Sequence, residues 1–410
     1  MVDVGSMRLR LLLLAVLAGV AAGVVLSTVL QEPSEYERRV LELVDEAREA
    51  IRSVRGLSVP SGVDVHVVTR EWVVETWGKP SASGEEAEAE EAVYKLLLLV
   101  GEDFNITELK LKWTGMFVAA SLGGDLYVVR EYFDPGSSEA FEVVVHELMH
   151  VVQGEFFKVP EVESYDERCA ISALVEGDAG FTARLCARRG EPAEAVAVEV
   201  KASWPEVEGD EDAVIELYMF PYRFGEAFVA ELYKAGGWTL VNEAYRRLPV
   251  SAEQVMHPGK YLSGEEPAVV SESTWSLGWP VVKRDRMGEY FILVLLLRWL
   301  PEEEARAAAE GWGGDLLVLY SVSGGYAVSW DVEWDTPADA VEFYAAFNDV
   351  CSRAGGRLID VGVWAIRGRY VAVRLCGTRV SILAAPELPA QWRRSGLLPG
   401  YIGAALHIEA

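Results

Sequence analysis

Basic residues are scarce in this chain of 410 residues. It has 37 Lys and Arg against 64 Asp and Glu, a formal net charge of −27. That balance argues against a nucleic-acid partner, whose phosphates require basic patches. Cysteine is nearly absent, with four residues and no C-x-x-C spacing, so a Cys-ligated zinc site and a disulfide-dense scaffold are both excluded. Cys169 and Cys186 lie too far apart on one expected helix to pair, whereas Cys351 and Cys376 can be bridged. Histidine is rarer still for a chain this long: there are five. Long apolar runs are missing too, with one exception. Leu11 to Leu30 carries no charge over 20 residues, a length of about 30 Å as a helix, which matches the hydrocarbon thickness of a bilayer. Arg8 and Arg10 precede it, and the positive-inside tendency then leaves the body outside. The expectation is an uncleaved single-pass anchor with an extracytoplasmic body; a cleaved signal peptide is the rival, against which the length of the run counts.

Two of the five histidines sit together, in His146-Glu147-Leu148-Met149-His150. Residues four apart on a helix share a face, so both imidazoles reach one metal ion. The Glu after the first His then points at the remaining coordination position, where a water would sit. Val143 to Val145 before the motif and Val151 and Val152 after it are the apolar neighbours that a dry wall requires. A second acidic motif, Ala173-Leu174-Val175-Glu176-Gly177-Asp178-Ala179, begins 23 positions after His150 and also reads as helix. The intervening stretch leaves room for a loop and a return helix, which would deliver Glu176 as a third ligand. The bland alternative is a buried helix with two incidental histidines.

His-Glu-x-x-His with a downstream Glu on a second helix resembles the gluzincin metallopeptidases, the thermolysin-like branch of the zincins. "HELMHVVQ" with "ALVEGDA" is similar to peptidase-MA-like proteins of archaea and bacteria. "FPYRFGEAFV" (220–229), "EQVMHPGKY" (253–261), "EGWGGD" (310–315) and "WDTPADA" (334–340) extend the likeness. The resemblance implies Zn2+ held by His146, His150 and Glu176, with Glu147 as general base. Tyr222 and His257, in blocks of that likeness, are the candidate donors to a developing oxyanion. It also implies a peptide or protein substrate, paired by its main chain with a strand that lies before the motif helix and forms the sheet edge above the cleft. One departure stands out. Thermolysin-type gluzincins often place an Asp four residues after the ligand Glu, to hold a ligand His, and here that position is Gly180. Asp178 is the nearest acid, but two residues along a helix is a different face.

Periodicity and the resemblance together divide the chain. The expected fold class is α+β: a cytoplasmic tip and transmembrane helix (1–34), a zincin-like metallopeptidase domain (35–257), and a connector with a C-terminal α+β domain (258–410). Helices are expected over 33–55, 85–100 and 213–248, and strands over 63–69, 116–121 and 126–130, the last two joined by Gly123-Gly124. In the C-terminal part, 358–366 reads as one strand. Asn105-Ile106-Thr107 is a glycosylation acceptor pattern, relevant only to an extracytoplasmic body. His66 and His407 gain no role. Two functions fit: a membrane-anchored zinc peptidase, or an inactive zincin-fold binding or assembly module at the cell surface.

Overall fold

The computed structural model describes residues 33–78, 84–114, 116–272 and 277–387. The expected anchor at 11–30 lies outside the described residues. Among the described residues no helix is long and apolar enough to cross a membrane. The fold class is therefore corrected to α+β with no spanning helix among the described residues, and the single-pass extracytoplasmic placement is withdrawn with it.

In chain order the helices and strands begin with α1 (Glu35–Arg55), β1 (Val65–Val68), α2 (Arg70–Val73), α3 (Glu85–Leu96), α4 (Ile106–Thr114), β2 (Ala119–Leu122) and β3 (Asp125–Val129). Then come α5 (Ala140–Phe156), α6 (Tyr165–Ala187), α7 (Ala193–Glu199), α8 (Asp210–Ala244), α9 (Ala252–Met256), α10 (Pro258–Ser263) and β4 (Val281–Asp285). The last group is α11 (Gly288–Leu297), α12 (Glu302–Ala309), β5 (Trp312–Val322), β6 (Gly325–Trp334), α13 (Pro337–Arg353), β7 (Arg357–Asp360), β8 (Val363–Ile366), β9 (Arg369–Cys376) and β10 (Arg379–Ala385). The chain divides into two compact units: Met1–Glu91, Asp103–Pro267 and Arg286–Val294 form one, and Ala92–Glu102, Ala268–Asp285 and Leu295–Ala410 the other.

The first unit is built around α5. Gly123 and Gly124, at φ 63° and 97°, close the β2–β3 hairpin with a turn that matches strand twist. Along β3 the side chains alternate. Leu126 and Val128 enter the core with Val40, Val44, Ala47 and Ile51 of α1 and Val144, Val145, Leu148, Met149 and Val152 of α5. Tyr127 and Val129 face the other way, beneath Val73 and Trp77. One expectation is overturned here. The strand before the motif helix, expected at the sheet edge, is the middle strand, because β1 pairs parallel to it and gives the order β1-β3-β2. That pairing joins segments about 60 residues apart, which a hairpin signal does not reveal. The edge strand that packs on α5 is β2.

The second unit is a seven-stranded antiparallel sheet in the order β4-β5-β6-β10-β9-β8-β7, with α13 packed on β6, β9 and β10. The Asp315 carboxylate is buried but satisfied by two indoles, Trp330 Nε1 at 2.9 Å and Trp312 Nε1 at 3.1 Å. Residues 358–366 are two strands rather than one. Gly362 turns the chain at φ 65°, and a Cβ there would lie 2.4 Å from the Val373 carbonyl oxygen. The expected bridge between Cys351 and Cys376 is not formed: all four cysteines are free, Cys351 buried and Cys376 exposed. Asn105 caps α4, its side-chain oxygen accepting from the Glu108 amide at 3.2 Å.

Candidate metal centre

The motif helix buries most of its circumference. Val144, Val145, Leu148, Met149 and Val152 are fully enclosed. His146, Glu147 and His150 remain half-buried on the opening left. The i, i+4 spacing thus turns two imidazoles the same way, as the sequence implies. α6 returns alongside α5 and brings Glu176 to them. His146 Nε2 lies 3.0 Å from Glu176 Oε2 and 3.1 Å from His150 Nε2, and His150 Nε2 lies 3.4 Å from the same oxygen. Three atoms with lone pairs therefore meet at one point, and these residues form one of the groups suited to a metal.

The spacing tests whether zinc fits. Zinc bonds N and O ligands at about 2.0–2.2 Å, and the edge of a tetrahedron of that size is about 3.3–3.6 Å. The three observed separations centre slightly below that range. Two imidazoles and one carboxylate suit zinc; calcium takes six to eight oxygens at longer distances.

Charge is concentrated here. Burial alone would lower the His150 pKa, but the Glu176 carboxylate outweighs it, helped by Glu147 and the Gln153 side chain, and raises it to about 9. Burial alone would raise the pKa of Glu176, yet His150 and His146 hold it well below the usual carboxylate range. Glu147, one residue after His146, is close enough for its charge to act on both His150 and Tyr222.

Tyr222 is delivered by α8 through a close helix crossing. A Cβ on Gly177 would lie 2.1 Å from the Gly225 carbonyl oxygen, and one on Gly225 would lie 2.2 Å from that of Ala173. Only glycine at both positions lets the two backbones approach this far. Gly177 follows Glu176, and Gly225 lies one turn after Tyr222, so the contact sets ligand and phenol side by side. Half of Tyr222 is exposed (52%). Its hydroxyl end nevertheless lies in the field of Glu176, and that carboxylate, with burial and Glu147, pushes the phenol pKa well above its ordinary value.

His257 is placed differently. It ends α9 and bonds Glu289 through Nε2, at 3.0 and 3.1 Å to the two carboxylate oxygens. The Glu289 bond raises its pKa, and the other charges acting on it are those of Glu253 and Lys260. None of His146, His150 and Glu176 is among them.

Residues that sequence reasoning left without a role complete the surroundings. Gln153 accepts from His150 Nδ1 at 2.8 Å. Asp178 is fully buried and, as its helix position implies, faces away from the ligands; it pairs with Arg55 at 2.9 and 3.2 Å and accepts from the Tyr245 hydroxyl at 3.0 Å. Gln153 was visible in "HELMHVVQ": three residues after His150, it shares that histidine's face. Tyr245 and Arg55 carried no local signal.

Residues 279–392 match the model of a domain of unknown function, DUF8575. A comparison with curated proteins finds no match. Among solved structures the chain is similar to a protein from Chloroflexus aurantiacus, described as a provisionally assigned hydrolase with a novel fold. The two are 19% identical, with a TM-score of 0.36, over 65% of this chain and 100% of that one. A likeness of that degree carries no argument about this chain. Neither match names a gluzincin, and the resemblance rests on the motif residues themselves.

Proposed function

We propose that this chain is a zinc-dependent peptidase whose metal is held by His146, His150 and Glu176. The observation that carries the reading is the convergence of those three ligand atoms within 3.0–3.4 Å, with Glu147 on the same helical turn. When bound, zinc would lower the pKa of a coordinated water and polarise a carbonyl. Glu147 takes a proton from the attacking water and returns it to the leaving amine. Tyr222, its pKa well above the ordinary value, stays protonated at neutral pH. It therefore keeps a proton to donate to the oxygen on which charge develops. His257, committed to Glu289, is not assigned a catalytic part. Gln153 partners His150 Nδ1 at 2.8 Å, which supports the peptidase reading although position 180 carries no acid.

Metal analysis tests the assignment. The purified protein is expected to hold one zinc per chain, and His146→Ala or His150→Ala to lose it. Full retention in both variants overturns the site.

A further inference from the structure

Resting on that reading, we infer that Gln153, Tyr245, Asp178 and Arg55 form a relay of positioning residues that fixes which nitrogen of His150 is free to bind the metal. Each link in the chain has a polarity that its chemistry settles. Arg55 has only donors, and gives Nε at 2.9 Å and Nη2 at 3.2 Å to the two oxygens of Asp178. Both side chains are fully enclosed, and because Arg55 offers donors alone, both Asp178 oxygens serve here as acceptors. The Tyr245 hydroxyl must then donate to Asp178 Oδ2, at 3.0 Å. Its oxygen is left as an acceptor, which Gln153 Nε2 meets at 3.0 Å. The same Nε2 donates to the Val175 carbonyl oxygen at 2.8 Å, and that oxygen only accepts. The Gln153 amide therefore cannot flip. Its Oε1 faces His150 Nδ1 at 2.8 Å, so Nδ1 must carry hydrogen. A neutral His150 then has its lone pair on Nε2, the atom that points at His146 and Glu176.

Position supports the same conclusion. Val175, whose carbonyl fixes the amide, is the residue before ligand Glu176. One side chain thus ties the backbone that carries Glu176 to the imidazole of His150. Arg55 is itself held, 4.3 Å over the ring of Trp238 and 5.9 Å from that of Phe157, with Nη2 also bonded to Asn242 at 2.7 Å. The last residue of α1 is in this way connected to His150 on α5 through three side chains, Asp178, Tyr245 and Gln153. Glu176 reaches the metal from α6 while Asp178, two residues on, serves His150 from the opposite face. This is a different solution from an acid at position 180.

The test compares zinc affinities by competition with a chelator. Gln153→Met keeps the volume and removes the acceptor. Gln153→Glu keeps an acceptor for Nδ1–H but sets a carboxylate against the Val175 oxygen, which costs stability. Tyr245→Phe breaks the relay one link further out. Loss of a partner to a ligand histidine typically weakens metal binding roughly 10–100-fold. Gln153→Met is expected to fall in that range, Gln153→Glu to stay near wild type although it melts lower, and Tyr245→Phe to lie between. In zinc-loaded protein labelled with 15N-histidine, the His150 Nδ1–H signal should persist in wild type and Gln153→Glu. It should exchange away in Gln153→Met. Zinc affinities that follow melting temperature rather than the presence of an acceptor overturn the relay, as does an affinity for Gln153→Met within twofold of wild type. A wild type that binds no zinc instead sinks the metal reading, and the two failures are thereby told apart.

Discussion

His150 is under two opposed demands in the metal-free protein: burial favours the neutral ring, and Glu176 favours the charged one. The carboxylate prevails, with the pKa raised from 6.5 to about 9. A group whose folded pKa is raised contributes stability that is fully present below its unfolded value and lost as pH climbs through the folded one. Glu176, shifted down, contributes above its ordinary value of 4.5 and loses that contribution only in strong acid. Metal-free protein is therefore expected to melt progressively lower as pH rises from 6.5 to about 9, and His150→Ala to flatten that slope. Thermal melts across the interval check this; an unchanged slope in His150→Ala contradicts it. Tyr222 gives a second expectation at this scale. Tyr222→Phe should retain zinc and lower kcat about 10²–10³-fold with little change in KM, the usual cost of one oxyanion donor. Steady-state kinetics with a matched zinc content would show it, and an unaltered kcat would remove Tyr222 from the chemistry. The convergence of His146, His150 and Glu176 was legible because its geometry is local: i, i+4 on one helix, and one acid on the next. The Gln153 contact is equally local, at i, i+3 from His150, yet a glutamine carries no metal signature and so drew no role. Arg55 and Asp178 are 123 positions apart, and no periodicity links them.

Elements were readable where their signals are short-ranged. α1 follows from its apolar stripe, with Val40, Val44, Ala47 and Ile51 all buried, and the β2–β3 hairpin from Gly123-Gly124. Where apolar residues run continuously the period has nothing to stop it. The helix expected to reach Val100 ends at Leu96, and Leu98 adopts φ 66° and gives its carbonyl to Trp299 Nε1 at 2.8 Å. The Gly177–Gly225 crossing was also hidden, since glycine inside a helix reads merely as a weak former. Two substitutions on α6 separate these meanings. Gly177→Ala drives a methyl to 2.1 Å from the Gly225 oxygen and should cost about 1–3 kcal/mol or more, as overpacking does, while disturbing Tyr222. Gly180→Ala meets nothing nearer than Glu226 at 3.9 Å and should be neutral or stabilising by up to about 1 kcal/mol. Chemical denaturation of the two variants gives the comparison; equal stabilities would mean that α6 and α8 are not in close backbone contact.

For the whole molecule, a ligand that binds the folded state alone stabilises it by mass action. Zinc at 100 times its Kd should contribute about 2.7 kcal/mol, or roughly 5–10 °C in Tm for a unit of this size. Chelation should reverse the shift, and calorimetry with and without chelator measures it; identical scans would argue that the three ligands hold nothing. Most surface ion pairs, such as Lys112 with Glu211, are exposed and add little to that balance. The most direct measurement is cleavage of an unbiased peptide library by zinc-loaded wild type and by Glu147→Gln, which preserves shape and ligands but cannot take the water's proton. Wild type is expected to cleave, and the variant to lose at least about 10²-fold at equal zinc content. Cleavage by neither protein, or by both at the same rate, would contradict the peptidase reading.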